Sequence, residues 1–241
     1  MKFGTLILLL LGASFSAQAQ VTGHVDLYSS YVLRGAAVNA ESDGPAVQWG
    51  LDYAHSSGLY VGYWGSSLDY QATQDPGEDA GGQKSIENDF YVGFAGKIGD
   101  LGYDVGVTSY VYMPDYLRTL GVEPKLKLSF MDAYVMAQFN AKDVTYSNTG
   151  DTYVTAGYSK ALPFDSTVTA GIQLGWYFYA EKGDYLTEKA ENSQALRNVT
   201  LNKSKKVMPN LVVGLDGVIG GKSSMDADLG NALVAHASVL F

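Results

Sequence analysis

Apolar and polar residues alternate with a period of two along most of the chain. Val47, Trp49, Leu51 and Tyr53 share one parity, with Gln48, Gly50 and Asp52 between them. Phe90, Val92, Phe94 and Ile98 stand against Glu87, Asp89, Gly93 and Lys97 in the same way. Leu101, Tyr103, Val105 and Val107 alternate with Gly102, Asp104, Gly106 and Thr108, and a further run from Val168 to Phe178 repeats the pattern. Such alternation makes strands with one apolar face and one small or polar face. Helical spacing is not sustained anywhere, so the chain is all-β.

Ten segments carry the pattern clearly: 23–33, 46–54, 59–67, 86–98, 101–112, 128–139, 152–160, 167–179, 210–219 and 231–241. Two weaker ones, 143–147 and 195–202, raise the count to twelve. Twelve strands sort the connections into a short set and a long set, with the tight 148–151 turn as the exception. Ten strands would put the stretch 180–209 on the short side, so ten is the fallback. Many of the segments are roughly nine to thirteen residues long, where strands of soluble proteins average about five or six. Trp49, Tyr53, Tyr103, Trp176 and Phe178 fall towards segment ends on the apolar parity, as interfacial girdles require. The expected architecture is a single antiparallel up-and-down transmembrane β-barrel. A soluble, secreted β-sandwich shares the alternation and is the competing fold.

The N-terminus sets the compartment. Met1-Lys2 is a short positive start, 6–11 is an apolar core, and Ala17-Gln18-Ala19 is a small-x-small cleavage signal. Residues 1–19 are therefore read as a cleaved export signal and 20–241 as the barrel domain. No later run reaches the roughly 18 apolar residues that a membrane helix needs. At the other end, Leu233, Ala235, Ala237, Val239 and Phe241 form an outward series closing on a C-terminal Phe. Phe241 and Val239 resemble the terminal signal by which the outer-membrane barrel assembly machinery recognises its clients.

Composition narrows the chemistry. The chain has 241 residues with no Cys, 28 Gly, 18 Tyr and a formal charge of −9. The missing Cys excludes a disulfide scaffold, a thiolate zinc site and a cysteine nucleophile. An acidic chain of pI near 4.7 speaks against nucleic acid as a partner. Gly220-Gly221-Lys222-Ser223 lacks the upstream glycine of a phosphate loop, since position 216 is Asp. His24, His55 and His236 show no metal-ligand spacing, although His24 and His236 come from the two strands that closure would join. Asp75, Glu78 and Asp79 form an acidic run read as a solvated loop rather than a divalent-cation site. No nucleophile elbow is present, so neither an enzyme, a metal nor a cofactor is expected.

Several segments resemble the TorF porin family. They are Tyr31-Val32-Leu33-Arg34-Gly35, Pro45-Ala46-Val47-Gln48, Leu51-Asp52-Tyr53 and the hairpin from Ser57 to Ser66. Asn88 to Phe94, and Tyr153 to Tyr158 with Leu162-Pro163, extend the match over most of the chain. Ala36-Ala37 and Trp49 depart from the family's pattern. The resemblance implies a barrel in the outer membrane of a Gram-negative bacterium, with no cargo assigned.

With the apolar parity facing lipid, the lumen is expected to be lined by Asp26, Arg34, Asp52, Glu87, Asp89, Lys97, Asp104, Asp132 and Asp216. Seven acids against two bases favour cations in a narrow channel. Arg34 and Asp89 are expected to pair across the bore. The function expected is passive diffusion of small solutes through a weakly cation-preferring porin. Inward Tyr60, Trp64, Tyr91, Tyr110 and Tyr177 also fit a filled lumen, and with it a non-conducting outer-membrane protein that presents its loops to partners.

Overall fold

The computed structural model describes residues 19–37, 44–69, 84–113 and 116–241. Residues 1–18 of the expected export signal lie outside them, as does the acidic run of Asp75, Glu78 and Asp79. Twelve strands form one closed antiparallel ring in which each strand pairs with its chain neighbours and β1 closes onto β12. They are β1 Gln20–Tyr28, β2 Ala46–Ala54, β3 Leu59–Ser67, β4 Ile86–Ile98, β5 Leu101–Met113 and β6 Gly121–Phe130. The ring continues with β7 Ala133–Phe139, β8 Thr152–Leu162, β9 Asp165–Phe178, β10 Gln194–Met208, β11 Leu211–Gly220 and β12 Asn231–Leu240. A single-turn helix, α1 (Tyr116–Thr119), sits between β5 and β6.

The strand total agrees with the expectation, but two of its members differ. The segment predicted as one strand over 128–139 is the tip of a hairpin: β6 ends at Phe130, and Met131, at φ 52°, turns the chain into β7. The segment predicted as a strand over 143–147 is loop, held only by an isolated bridge between Val144 and Ser147. The two errors offset each other. Strand β6 escapes a sequence reading because Pro124 interrupts it and Glu123, Lys125 and Lys127 crowd it with charge; proline normally argues against an interior strand. Here the β6–β7 ladder begins at Lys125, so the proline lies one residue beyond the pairing on that side. Once β6 is in place, five connections are short (55–58, 99–100, 131–132, 163–164 and 209–210) and six longer ones share the opposite end. The exceptional 148–151 turn disappears into the longer 140–151 connection.

The interior is polar, the reverse of a soluble sandwich. Inward parity brings Gln48, Glu87, Asp89, Thr108 and Gln138 to near-complete burial. The outward parity exposes large apolar side chains on every strand, among them Val25, Leu51, Val92, Val105, Ile172, Leu215 and Leu233. Soluble monomers rarely expose apolar patches beyond a few hundred Å², whereas a membrane barrel requires a continuous apolar band. Aromatic residues stiffen that outer face: Trp49 Nε1 donates to the Tyr63 hydroxyl at 3.2 Å, and Phe94 stacks on Tyr103 with centroids 6.1 Å apart.

Closure has the shortest ladder of the ring, five register pairs, and carries a specific fit. Gly23 N donates to Phe241 O at 2.7 Å, and Phe241 N returns a bond to Gly23 O at 2.9 Å. The Phe241 ring lies over Gly23, 2.5 Å from where a β-carbon would stand. Replacing Gly23 by Val should therefore displace the ring and open the seam. Overpacking of this kind costs about 1–3 kcal/mol, so Gly23→Val is expected to lower the urea midpoint of the refolded barrel. Gel mobility of unheated against heated samples, read across a urea series, measures it.

Candidate lumen and outer vestibule

The first long connection enters the barrel instead of capping it. Strand β1 stops at Tyr28, not at the predicted Leu33, and residues 29–37 turn inward. Arg34 and Gly35 have φ of 46° and 80°, and Ala36 N closes the turn on Leu33 O at 2.9 Å. Gly35 is needed twice over, because a β-carbon there would also lie 2.4 Å from Asn198 Cβ. Ala37 N donates to Leu229 O at 2.8 Å, tying the turn to the β11–β12 connection.

Two carboxylates hold this inserted turn. Glu87 accepts from the Tyr31 and Tyr112 hydroxyls, each at 3.0 Å. Glu123 accepts from both directions: Arg34 Nη2 reaches its two oxygens at 2.9 and 2.7 Å, and the Tyr110 hydroxyl donates at 2.6 Å. The Arg34 guanidinium also lies 4.9 Å from the Tyr153 ring centroid. Arg197 Nε donates to Arg34 O at 3.0 Å, which fixes the backbone of the turn from the opposite wall. Arg34 is thus the keystone of a plug across the upper bore.

The expected lumen set is distributed as follows. Asp26 is buried with His24 Nδ1 2.7 Å from its Oδ2. Asp52 accepts from the Tyr91 hydroxyl at 2.5 Å, and Asp104 from the Tyr60 hydroxyl at 2.5 Å and Lys125 Nζ at 2.7 Å. Asp89 is buried opposite Trp64 and Tyr110, and Asp216 lies 3.8 Å from His236 Nε2. Lys97 has inward parity near the short-turn end of β4, opposite Gly102. Asp132 is a correction: it occupies the β6–β7 turn outside the strands and pairs with Lys160 at 3.5 Å. The expected Arg34–Asp89 pair is a second correction, since Arg34 takes Glu123. The seam register sets His24 opposite Leu240 and Tyr28 opposite His236, so the two histidines do not meet.

The sequence reading missed Glu123, Lys125, Lys127 and Arg197. The first three belong to β6 and were hidden with it. Arg197 sits at a bulge in β10, where the register with β9 shifts between Leu196 and Asn198, so simple parity misplaces it. Among the described residues, seven carboxylates and five cations now face the bore. Most of the carboxylates come from the β11–β12–β1–β5 side, while Lys125, Lys127 and Arg197 come from β6 and β10. Also among the described residues, no group of three or more His, Asp or Glu could hold a metal ion.

The plug divides the space inside. Below it a small cavity of about 40 Å³ is bounded by Tyr31, Arg34, Gln48, Asn198 and Asp216. Above it, at the long-loop end, lies a vestibule of about 630 Å³ bounded by Arg34, Glu123, Tyr177, Tyr179 and Arg197 and by the 140–151, 179–193 and 221–230 connections. Arg34 borders both. The vestibule wall is stitched by Asp143, whose Oδ1 accepts from Thr149 N at 2.5 Å and whose Oδ2 accepts from Asp184 N at 2.9 Å.

A closed twelve-strand antiparallel barrel with a polar interior and an apolar outer face is an outer-membrane barrel fold. Within that class the chain belongs to the bacterial family described as "Bacterial protein of unknown function (Gcw_chp)", whose model matches residues 13–183. No curated protein matches the sequence. Among solved structures, the barrel is similar to KdgM porin at 10% identity and a TM-score of 0.55, covering 91% of this chain and 98% of that one. It also overlaps the outer membrane channel DcaP of Acinetobacter baumannii at 14% identity and a TM-score of 0.45, covering 95% of this chain and 99% of that one. Outer membrane phospholipase A from Escherichia coli aligns at 12% identity and a TM-score of 0.46, covering 91% and 95% of the two chains. At these identities the likeness is one of fold.

Two outcomes test the site. Glu123→Gln leaves the Arg34 guanidinium without its ion partner, and breaking a buried pair on one side costs about 3–5 kcal/mol. Trypsin should then cleave after Arg34 in the refolded variant, where the parent resists. The two backbone donors on Asp143 hold its carboxyl below the usual carboxylate range. Its contribution is therefore present above the ordinary pKa of about 3.9 and lost as pH falls further. Hydrogen exchange at the Thr149 and Asp184 amides should accelerate, relative to the intrinsic rate, only below that pH.

Proposed function

We propose that the chain is an outer-membrane porin, a narrow passive-diffusion channel for small solutes with a weak preference for cations. One observation carries the reading: a closed ring of strands turns its apolar parity outward and encloses a hydrated-type lining of carboxylates, amides, hydroxyls and lysines. That arrangement suits lipid outside and solute inside. Residues 1–19 act as the export signal of a Gram-negative cell. Val239 and Phe241, outward at the closing seam, are the residues offered to the barrel assembly machinery. The lining acids Asp26, Asp52, Glu87, Asp89, Asp104 and Asp216, now joined by Glu123, outnumber Arg34, Lys97, Lys125, Lys127 and Arg197 only slightly. The preference is accordingly weaker than the sequence implied. The chain is read as a non-enzyme, since its sequence carries no nucleophile elbow.

A second reading has its own observation. The turn at 31–35, held by Glu87 and Glu123, narrows the bore enough to make a non-conducting barrel with displayed loops the alternative. Planar-bilayer recording of the refolded full chain separates the two. A small steady conductance is expected, with a reversal potential favouring cations modestly in a salt gradient. Complete absence of conductance from correctly folded protein, or a clear anion preference, would sink the porin reading.

A further inference from the structure

The vestibule has more chemistry than a passive mouth requires. Its wall carries Tyr146, Tyr179 and Tyr185, the hydroxyls of Thr187 and Ser224, and the guanidinium of Arg197. Three acids border the same space, and two of them are committed. Glu123 is taken by Arg34 and Tyr110. Asp151 accepts from the Ser147 hydroxyl at 2.8 Å and from the amides of Asn148 at 2.9 Å and Ala180 at 2.8 Å. Glu188 is the remaining lining acid and is exposed on its loop.

Arg197 is the uncommitted charge. Its Nε goes to Arg34 O and its Nη1 to the Tyr179 hydroxyl at 3.0 Å. Its carbon centre lies 5.6 Å from the Tyr177 ring centroid, so the guanidinium plane is held by aromatic contact. Among the described residues it has no carboxylate partner, and its Nη2 makes no hydrogen bond. A half-buried, oriented guanidinium with free donors is a receptor for a planar oxyanion. The volume, about 630 Å³, is of the size that takes a small organic ligand. Tyrosine faces offer apolar surface to a ring; the Tyr146 and Tyr179 hydroxyls are taken by Thr119 O and Lys222 O, and those of Tyr185, Thr187 and Ser224 offer partners to ring hydroxyls.

We propose that this vestibule is a binding site for a small hydroxylated ring bearing one carboxylate, a sugar acid, with the carboxylate on Arg197. The inference rests on the porin reading in one respect, that the bound molecule is a solute entering the bore. Ion preference belongs to the acidic bore below Arg34; solute recognition belongs to the cup above it. Arg197 holds the backbone carbonyl of Arg34, so a ligand on Arg197 is one bond away from the plug.

Calorimetric titration of the refolded full chain in micelles tests binding without any need for conduction. D-glucuronate is the probe, with glucose lacking the carboxylate and benzoate lacking the hydroxyls. Glucuronate should bind at least about tenfold more tightly than either, the scale of one charge-assisted contact. Arg197→Gln should abolish the advantage over glucose, Arg197→Lys should recover part of it, and Lys203→Gln on the outer face of β10 should leave it intact. Tyr185→Ala, on an exposed loop, should weaken glucuronate several-fold and guards against a folding defect in the arginine variants. Equal affinity for glucuronate and glucose, or full discrimination retained in folded Arg197→Gln, overturns the site. Tighter binding of benzoate than of glucuronate overturns the hydroxylated ring. Arg197-dependent binding by a protein that passes no current upholds the site and refutes the porin reading; current without binding does the opposite.

Discussion

Backbone N–H and C=O groups that cross a hydrocarbon layer must find partners within the protein, and a sheet meets that demand only by closing on itself. Every other feature of this chain follows from that closure. Twelve strands with nearest-neighbour pairing leave two edges, β1 and β12, and their union turns an open sheet into a ring. Closure fixes an inside and an outside, and the period of two then assigns each side chain to one or the other. The Phe241 ring over Gly23 belongs to this same constraint, because the last residue of the chain completes the seam that the first strand begins.

A ring of this size would leave a wide polar channel if nothing entered it. The first connection does enter, and its insertion depends on electrostatics. Arg34 placed in a low-dielectric interior needs a counter-charge within hydrogen-bonding distance, and Glu123 supplies one with both oxygens while Tyr110 satisfies the same carboxylate. Buried charges are tolerated on these terms only. Glu87 performs the parallel task for Tyr31. The plug is therefore a polar core in its own right, built from strands β4, β5 and β6 and from a turn whose left-handed residues are Arg34 and Gly35. It separates a small lower cavity from a large outer one, and Arg34 borders both.

Most of the fold was legible in the alternation of residues, and the reason is physical. Where one face meets lipid and the other meets polar groups, parity is enforced at each position, as in β2, β4 and β5. The reading failed where another demand overrode that signal. Pro124 and three charged residues disguised β6, although Val122, Leu126, Leu128 and Phe130 keep the outward parity throughout. A two-residue turn at Met131-Asp132 carries no Gly or Asn to announce itself, so the pattern of two strands runs on as one. The site was harder still. Glu123 vanished with its strand, Arg197 lies at a bulge that breaks parity, and the partner of Arg34 is set by a loop fold that no local pattern encodes. Asp132 has inward parity only in a strand that runs straight through, and the turn at Met131 takes it out of the lumen.

The central claim is that the whole ring, β6 included, presents one parity to lipid and the other to the interior. The absence of Cys from the chain makes a direct measurement simple, since single cysteines can be introduced and spin-labelled without background. Labels at positions 122 to 130 of the refolded protein in liposomes report contact with oxygen dissolved in the bilayer. Oxygen accessibility is expected to alternate, high at Val122, Leu126, Leu128 and Phe130 and low at Glu123, Lys125, Lys127 and Ser129. Uniform accessibility along the segment, or alternation with the opposite phase, would contradict the account.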